Sequence, residues 1–180
     1  MLATLFGKKK VSESHVANAF VNNILQVIDA GFEDVAALVN NDPEFVSPPN
    51  IDPQDSDRFL LIVVAGNLEY LPKYFDNSES FEIENQIIEK LARVYDMSAD
   101  DFKKIIKEFQ QYINRVNHPS KNTLYGMSKA VFHKYRLCGY QNDYFKSLNV
   151  PNPLFLKRMD DIMRNFLWDW ESFLEKYKIA

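Results

Sequence analysis

The longest apolar run of the chain lies between Arg58 and Phe75, and it limits what the rest can fold into. Its segment Phe59–Gly66 is eight residues without a charge. A helix made of these residues would be apolar on nearly every side, so other elements would have to surround it. Ser56 and Asp57 are typical of a helix start, and Pro72 is typical of a helix end. We therefore predict a buried central helix over residues 57–71.

Composition supports an all-α fold around that helix. Hydrophobic residues make up 46% of the 180 residues, which is enough for a real core, and only five residues are glycine. A sandwich or barrel of short strands would need more turn residues than this. We predict one irregular bundle of about six helices, with residues 1–10 as a flexible N-terminal arm and residues 11–180 as a single helical domain.

Capping residues and apolar stripes predict the other helices. The first should run from the N-cap Ser12 to a stop at Gly31, with a short helix over Glu33–Val39 behind it. A loop with four prolines must then cross the surface to the central helix. Later helices are expected after Ser80, after Ser98, over Lys121–Cys138, and from Asn152 and Pro153 to Tyr177.

Cysteine content and hydropathy suggest the compartment. Cys138 is the single cysteine and has no partner for an internal disulfide. The longest apolar run is about half of a membrane span. We see no secretory signal and no transmembrane segment, so a cytoplasmic protein is expected. Within residues 1–10, Leu2, Leu5 and Phe6 precede three lysines. Weak contact with an anionic membrane is one interpretation of that segment, and a loosely docked arm is the simpler one.

Charge is distributed unevenly along the chain. Residues 11–101 carry a net charge of −14, whereas residues 102–146 carry +7, within a total of −4. The basic segment can attract an anionic partner, or it can pack beside the acidic helices and neutralise them.

A candidate anion site lies on the helix predicted over Lys121–Cys138. Tyr125, Lys129, His133 and Arg136 are spaced four, four and three residues apart, which places them on one helical face. Such a face can bind a phosphate or a carboxylate, although a solvated charged face is the plainer interpretation. A nucleic-acid partner is disfavoured because the isoelectric point of 5.4 is far from basic and no known binding motif is present.

Two polar residues, Glu69 and His118, are candidates for the edges of a cavity beside the central helix. A buried Glu69 would have a raised pKa and could act as a base, but a glutamate at a helix end that pairs with Lys73 is the simpler alternative. The three histidines, His15, His118 and His133, do not have the spacing of zinc ligands. We therefore predict no metal, no cofactor and no catalytic residue.

Trp168 stands out on the last predicted helix. If that helix continues to Tyr177, Trp168 lies opposite the apolar face and points outward, where it could anchor an interface. The sequence thus predicts a protein that acts by protein–protein interaction or self-association, as in a homodimer, without catalysis. The alternative is a small-ligand, anion or nucleotide binder, or an enzyme, that uses a cavity beside the central helix.

Overall fold

Helices account for nearly all regular structure in the computed structural model, which describes residues 7–180. The predicted all-α class is therefore confirmed. Within the described residues there are nine α-helices and two short strands, in the order β1 (Lys9–Val11), α1 (Glu13–Asn40), α2 (Asp57–Leu68), α3 (Leu71–Tyr74), α4 (Asn77–Val94), α5 (Ala99–Asn117), α6 (Thr123–Lys134), α7 (Asp143–Leu148), α8 (Pro153–Met163), α9 (Trp170–Lys176) and β2 (Tyr177–Ile179).

Helix α2 occupies the centre, as its composition predicted. From Phe59 to Leu68 every residue except Leu61 is buried, and the helix packs against α1, α5 and α6. Gly66 permits the close approach of α6, because a Cβ at this position would overlap the Met127 side chain. The helix ends at Leu68 rather than at residue 71. Pro72 lies in the first turn of α3, where a missing backbone N–H is tolerated, so it starts a helix instead of ending one.

Helix α1 is continuous from Glu13 to Asn40, so the predicted stop at Gly31 and the separate helix over Glu33–Val39 are wrong. Gly31 does not adopt the left-handed conformation that ends helices. Its small size serves a contact, since a Cβ there would lie 3.3 Å from the ring of Phe166. The predicted N-cap is present, with the Ser12 side chain accepting a hydrogen bond from the His15 N–H.

Two further helix starts depend on side-chain caps. Helix α4 begins at Asn77, before the predicted Ser80, because Asp76 and Glu79 form a capping box. The Glu79 N–H donates to Asp76 Oδ1 at 2.8 Å, and the Asp76 N–H donates to Glu79 Oε2 at 3.0 Å. Helix α5 begins after Ser98, as predicted, with Ser98 Oγ accepting from the Asp101 N–H at 3.1 Å.

Helix α6 is shorter at both ends than the predicted helix over Lys121–Cys138. It starts after the N-cap Asn122 and ends at Lys134. Arg136 has a left-handed backbone with a φ of 55°, and a 3₁₀ turn over Leu137–Tyr140 follows. A right-handed helix cannot continue through such a residue. The neighbouring Tyr135 hydroxyl donates to the Asp55 carbonyl at 2.8 Å and accepts from the Phe59 N–H at 3.1 Å. Tyr135 therefore fixes the proline-rich segment 41–56 to the start of α2.

The last predicted helix is interrupted, and a buried asparagine of α2 explains the interruption. Helix α8 ends at Met163, a 3₁₀ turn covers Arg164–Phe166, and α9 starts at Trp170. Asn67 Nδ2 donates to the Phe166 carbonyl at 2.9 Å, while Asn67 Oδ1 accepts from the Trp168 N–H at 2.8 Å. These two backbone groups form hydrogen bonds with Asn67, and not the hydrogen bonds of a continuous helix.

The two strands form a small parallel ribbon that the sequence did not predict. Lys9 pairs with Tyr177, Lys10 with Lys178 and Val11 with Ile179. Lys9 and Lys10 thus belong to a strand, although the sequence placed them in a flexible arm; residues 1–6 of that arm lie outside the described residues. No helix of the described chain is both long enough and apolar enough to cross a membrane.

We expect Asn67→Ala to lower the free energy of unfolding by about 2–4 kcal/mol, because the buried Trp168 N–H and Phe166 carbonyl would lose their partners. Urea denaturation measures this change, with the exposed Asn18→Ala in α1 as the matched control. Amide hydrogen exchange at Trp168 should accelerate in the Asn67 variant. A variant as stable as the Asn18 control would contradict the role assigned to Asn67.

Candidate functional site

An open groove runs between the end of α1 and helix α8. Its volume is about 680 Å³. Ligand sites typically enclose roughly 300–1,000 Å³, so the groove is large enough to hold a partner. Its apolar lining comes from two helices, with Ala37, Leu38 and Val39 on α1 and Phe155, Met159 and Ile162 on α8. We call these six residues and the space between them the α1–α8 groove.

The groove exists because α8 packs principally on α6 and not on α1. The inner side of the last turns of α1 is buried through Val35, Ala36 and Val39. Leu38 lies at the edge of this buried stripe, about 60° around the helix from Val35, and has no core element above it. Its exposed fraction is 56%. That fraction is high for a leucine beside other apolar residues. Ala37 and Leu38 are exposed and Ile162 is partly exposed, whereas Val39, Phe155 and Met159 form a buried floor below them.

Ionic contacts fix one end of the groove. Arg158 donates from Nε to Asp42 Oδ2 at 2.7 Å and from Nη2 to Asp42 Oδ1 at 2.8 Å. Such a bidentate pair is among the stronger charged contacts in proteins. The same guanidinium lies 3.4 Å from Glu44 Oε1, and Asn152 Nδ2 donates to Glu44 Oε2 at 2.9 Å. This network ties the turn after α1 to the start of α8, so the groove has a defined width at this end.

The polar lining of the groove is acidic. Asp34, Asp42 and Asp161 contribute carboxylates, whereas Arg158 contributes a guanidinium that Asp42 already pairs. Asp34 and Asp161 are exposed, one on each helix, and we call them the rim carboxylates. Arg164 lies 3.0 Å from Asp161, on the outer surface. A partner with positive charge beside its apolar contact surface would be complementary to this rim.

Three of the four predicted anion-binding residues share a face of α6, and one does not. Lys129 Nζ lies 4.3 Å from the centroid of the Tyr125 ring, and His133 follows one turn later. Arg136 lies beyond the helix end, so the expected constellation of four is incomplete. Burial lowers the pKa of His133, and the nearby Lys129 lowers it further. His133 is therefore biased toward its neutral form, which weakens its contribution to anion binding.

Glu69 and His118 follow the ends of two different helices, α2 and α5, and neither lines the α1–α8 groove. Burial raises the pKa of the half-buried Glu69, while Lys107 lowers it and Glu84 raises it. Lys73, the partner expected for Glu69, lies over the Tyr70 ring at 4.7 Å instead. His118 is exposed at the end of α5. Both residues lie at helix ends, and the sequence alone did not predict how those ends are placed relative to each other.

The outward orientation predicted for Trp168 is wrong, because it assumed a continuous last helix. Trp168 is half-buried, and its ring centroid lies 5.8 Å from Phe20, 5.8 Å from Trp170 and 5.9 Å from Phe173. It contributes one wall of a shallow surface cavity of about 390 Å³. Whether Trp168 takes part in an interface stays a prediction.

Sequence reasoning did not find the α1–α8 groove. Leu38 was assigned to a short helix, and the pairing of Arg158 with Asp42 joins residues 116 positions apart. A signal did exist in the sequence, since Leu38 is an apolar residue at the edge of the stripe that Val35 and Val39 form, about 60° around the helix from Val35 and about 100° from Val39. That signal became interpretable only once α1 was continuous and α8 had been placed.

Residues 7–180 contain no group of three or more His, Cys, Asp or Glu side chains placed to hold a metal ion. Comparisons with family models, with curated proteins and with solved structures gave no match to this chain.

We expect acid to destabilise the protein partly through His133. Because its folded pKa lies below the unfolded value of about 6.5, the unfolded state binds the proton more readily. Above about pH 6.5, His133 should not lower the free energy of unfolding. As pH drops toward the folded pKa, the free energy of unfolding should fall by at most about 1.4 kcal/mol per pH unit.

Chemical denaturation at about pH 7.5 and about pH 5.5 tests this pH dependence. His133→Gln should lose less stability between the two conditions than wild type, whereas the exposed His118→Gln should behave as wild type. Equal losses in all three proteins would contradict the assignment to His133.

Proposed function

We propose that the chain is a cytoplasmic interaction protein that binds a segment of a protein partner in the α1–α8 groove. The observation that supports this proposal is the exposed Leu38 beside a row of apolar side chains on two helices. Apolar surface left accessible in this way is typical of interaction sites. A groove between two helices also suits an amphipathic helix, whose apolar face supplies anchors at a spacing of three or four residues.

The rim carboxylates indicate the charge of the partner. Asp34 and Asp161 flank the apolar floor; Arg158 pairs with Asp42 and Arg164 pairs with Asp161, so the charge of Asp34 is in excess. Lysine or arginine side chains on the polar face of a bound helix would meet them from either side. Such contacts on an exposed rim contribute more to the rate of association and to specificity than to affinity. We therefore propose an amphipathic helix with a basic polar face as the occupant.

A second copy of the chain fits the groove less well. In a two-fold symmetric dimer the same surface of both protomers forms the interface, so the rim carboxylates of both protomers would be brought into one contact region. Like charges brought together in this way oppose association. Self-association through the groove would need a different surface of the second copy, and repeated contacts of that kind build open filaments rather than closed dimers.

Two helical peptides that share one leucine stripe test the proposal. One peptide carries lysines on its polar face and the other carries glutamates, and fluorescence anisotropy measures binding of each. We expect the lysine peptide to bind more tightly, and we expect Asp34→Lys combined with Asp161→Lys to reverse that preference.

The apolar contribution is tested with Leu38→Glu. Loss of one buried leucine contact should weaken binding of the lysine peptide by about tenfold or more. The matched control is Val94→Glu, because Val94 at the end of α4 has a similar exposed fraction, 58%, on a surface away from the groove. This control should bind as wild type does.

Several outcomes would overturn the proposal. Tighter binding of the glutamate peptide, or equal binding by wild type and Leu38→Glu, would show that the groove is not the site. Sedimentation velocity gives an independent reading. A wild-type dimer that Leu38→Glu dissociates and Val94→Glu does not would assign the groove to a second copy of the chain.

A further inference from the structure

The parallel ribbon brings together lysines that are far apart in the sequence. Pairing of β1 with β2 places Lys9 opposite Tyr177 and Lys10 opposite Lys178, and Lys8 and Lys176 directly precede the two strands. All five side chains are exposed. We call these five residues the lysine ribbon. None of the helical faces discussed above contributes to it, and it does not overlap the α1–α8 groove.

The alternation of the strands directs Lys10 and Lys178 outward. Val11 is buried and its pairing partner Ile179 is partly buried, so these two residues face the core. Neighbouring residues along a strand point to opposite faces, and paired residues of adjacent strands share a face. Lys10 and Lys178, which are paired with each other, therefore both point to solvent, whereas Lys9 shares the opposite face of the ribbon with Val11.

This arrangement is electrostatically unfavourable for the protein alone. Like charges directly opposite each other on adjacent strands are destabilising. Within residues 7–180, none of the ion pairs involves a member of the lysine ribbon, and the ion pairs of the basic helix α5 go to Asp101 and Glu84 instead. The positive charge of the ribbon is thus left without a carboxylate partner in this part of the chain.

We propose that the lysine ribbon is a binding surface for a membrane that contains anionic phospholipids. Clusters of four or more lysines are attracted to the negative surface potential of such membranes.

A nucleic acid is the less suitable partner for this surface. Single strands bind through aromatic rings on which bases stack. Tyr177, the aromatic residue of β2, is already stacked on Phe173 at a centroid distance of 4.7 Å. The net charge of −4 also opposes binding to a long polyanion. A membrane surface contacted only by the lysine ribbon would avoid most of the acidic residues.

The position of the ribbon is compatible with simultaneous use of the groove. Strand β1 directly precedes α1, and the α1–α8 groove lies at the other end of that 28-residue helix. At about 1.5 Å per residue the two surfaces are roughly 40 Å apart along the helix. A protein docked on lipid through the ribbon would leave the groove accessible.

Co-sedimentation with vesicles tests the proposal. Wild type should bind vesicles of phosphatidylcholine mixed with phosphatidylserine, should not bind pure phosphatidylcholine vesicles, and should dissociate as salt is raised. Lys178→Glu changes the ribbon by two charges and should weaken binding to the mixed vesicles by about 30-fold. The matched control is Lys121→Glu, since Lys121 is exposed on the loop before α6 and its substitution changes the net charge equally.

The same variant separates binding from folding. Lys178→Glu replaces a repulsive cross-strand pair with an attractive one, so it should melt at the same temperature as wild type or slightly higher. Weaker vesicle binding by a variant of undiminished stability cannot be attributed to unfolding. A second variant, Lys178→Gln, should show an intermediate loss of vesicle binding.

Four results would overturn the proposal. Equal loss of vesicle binding in Lys178→Glu and Lys121→Glu would mean that net charge alone is responsible. Equal binding to neutral and anionic vesicles, or no binding to either at low salt, would exclude a surface specific for anionic lipid. Tighter binding of a single-stranded oligonucleotide than of anionic vesicles, with the same dependence on Lys178, would assign the ribbon to nucleic acid.

Discussion

Helix α2 has almost no side that contacts water, and the remaining elements are arranged to cover it. An isolated helix gains little from its backbone bonds alone, so a helix of this composition is stable only inside a shell of other helices. Asn67 is the polar exception within the buried part of α2, Phe59 to Leu68. It is buried, and its amide must find hydrogen-bond partners or oppose folding. It finds them in the Phe166 carbonyl and the Trp168 N–H, and this one requirement divides the last part of the chain into α8 and α9.

The division at residues 164–169 also explains the surface of the protein. Helix α8 stays with α6, and α9 returns toward the start of α1 so that Trp170 stacks on Phe20. The end of α1 is consequently left without a helix over Leu38, and the α1–α8 groove forms in that space. The exposed side chains of Ala37 and Leu38 beside α8 are thus a by-product of how the core is completed, since no element of the described chain lies over them.

The distribution of positive charge on the folded protein differs from the one that the sequence suggested. The basic segment 102–146 looked like the main positive surface, yet in the fold Lys107 pairs with Glu84, and Lys129 and Lys134 lie over aromatic rings. The sequence did not predict the lysine ribbon, because residues 8–10 and residues 176–178 are separated by nearly the whole chain. Strand pairing joins them, and the repulsion that results has no compensation within the described residues.

The sequence by itself determined the all-α class, the buried central helix and the helix starts at Ser12 and Ser98, because apolar periodicity and capping act over a few residues. It misjudged Gly31 and the continuity of the last helix. In both places a contact with a distant residue decides the outcome: the Phe166 ring against Gly31, and the Asn67 amide on Trp168. The groove, the lysine ribbon and the separation of Arg136 from Lys129 and His133 were likewise decided by tertiary structure. Each depends on which distant segments meet, and local propensity carries no information about that.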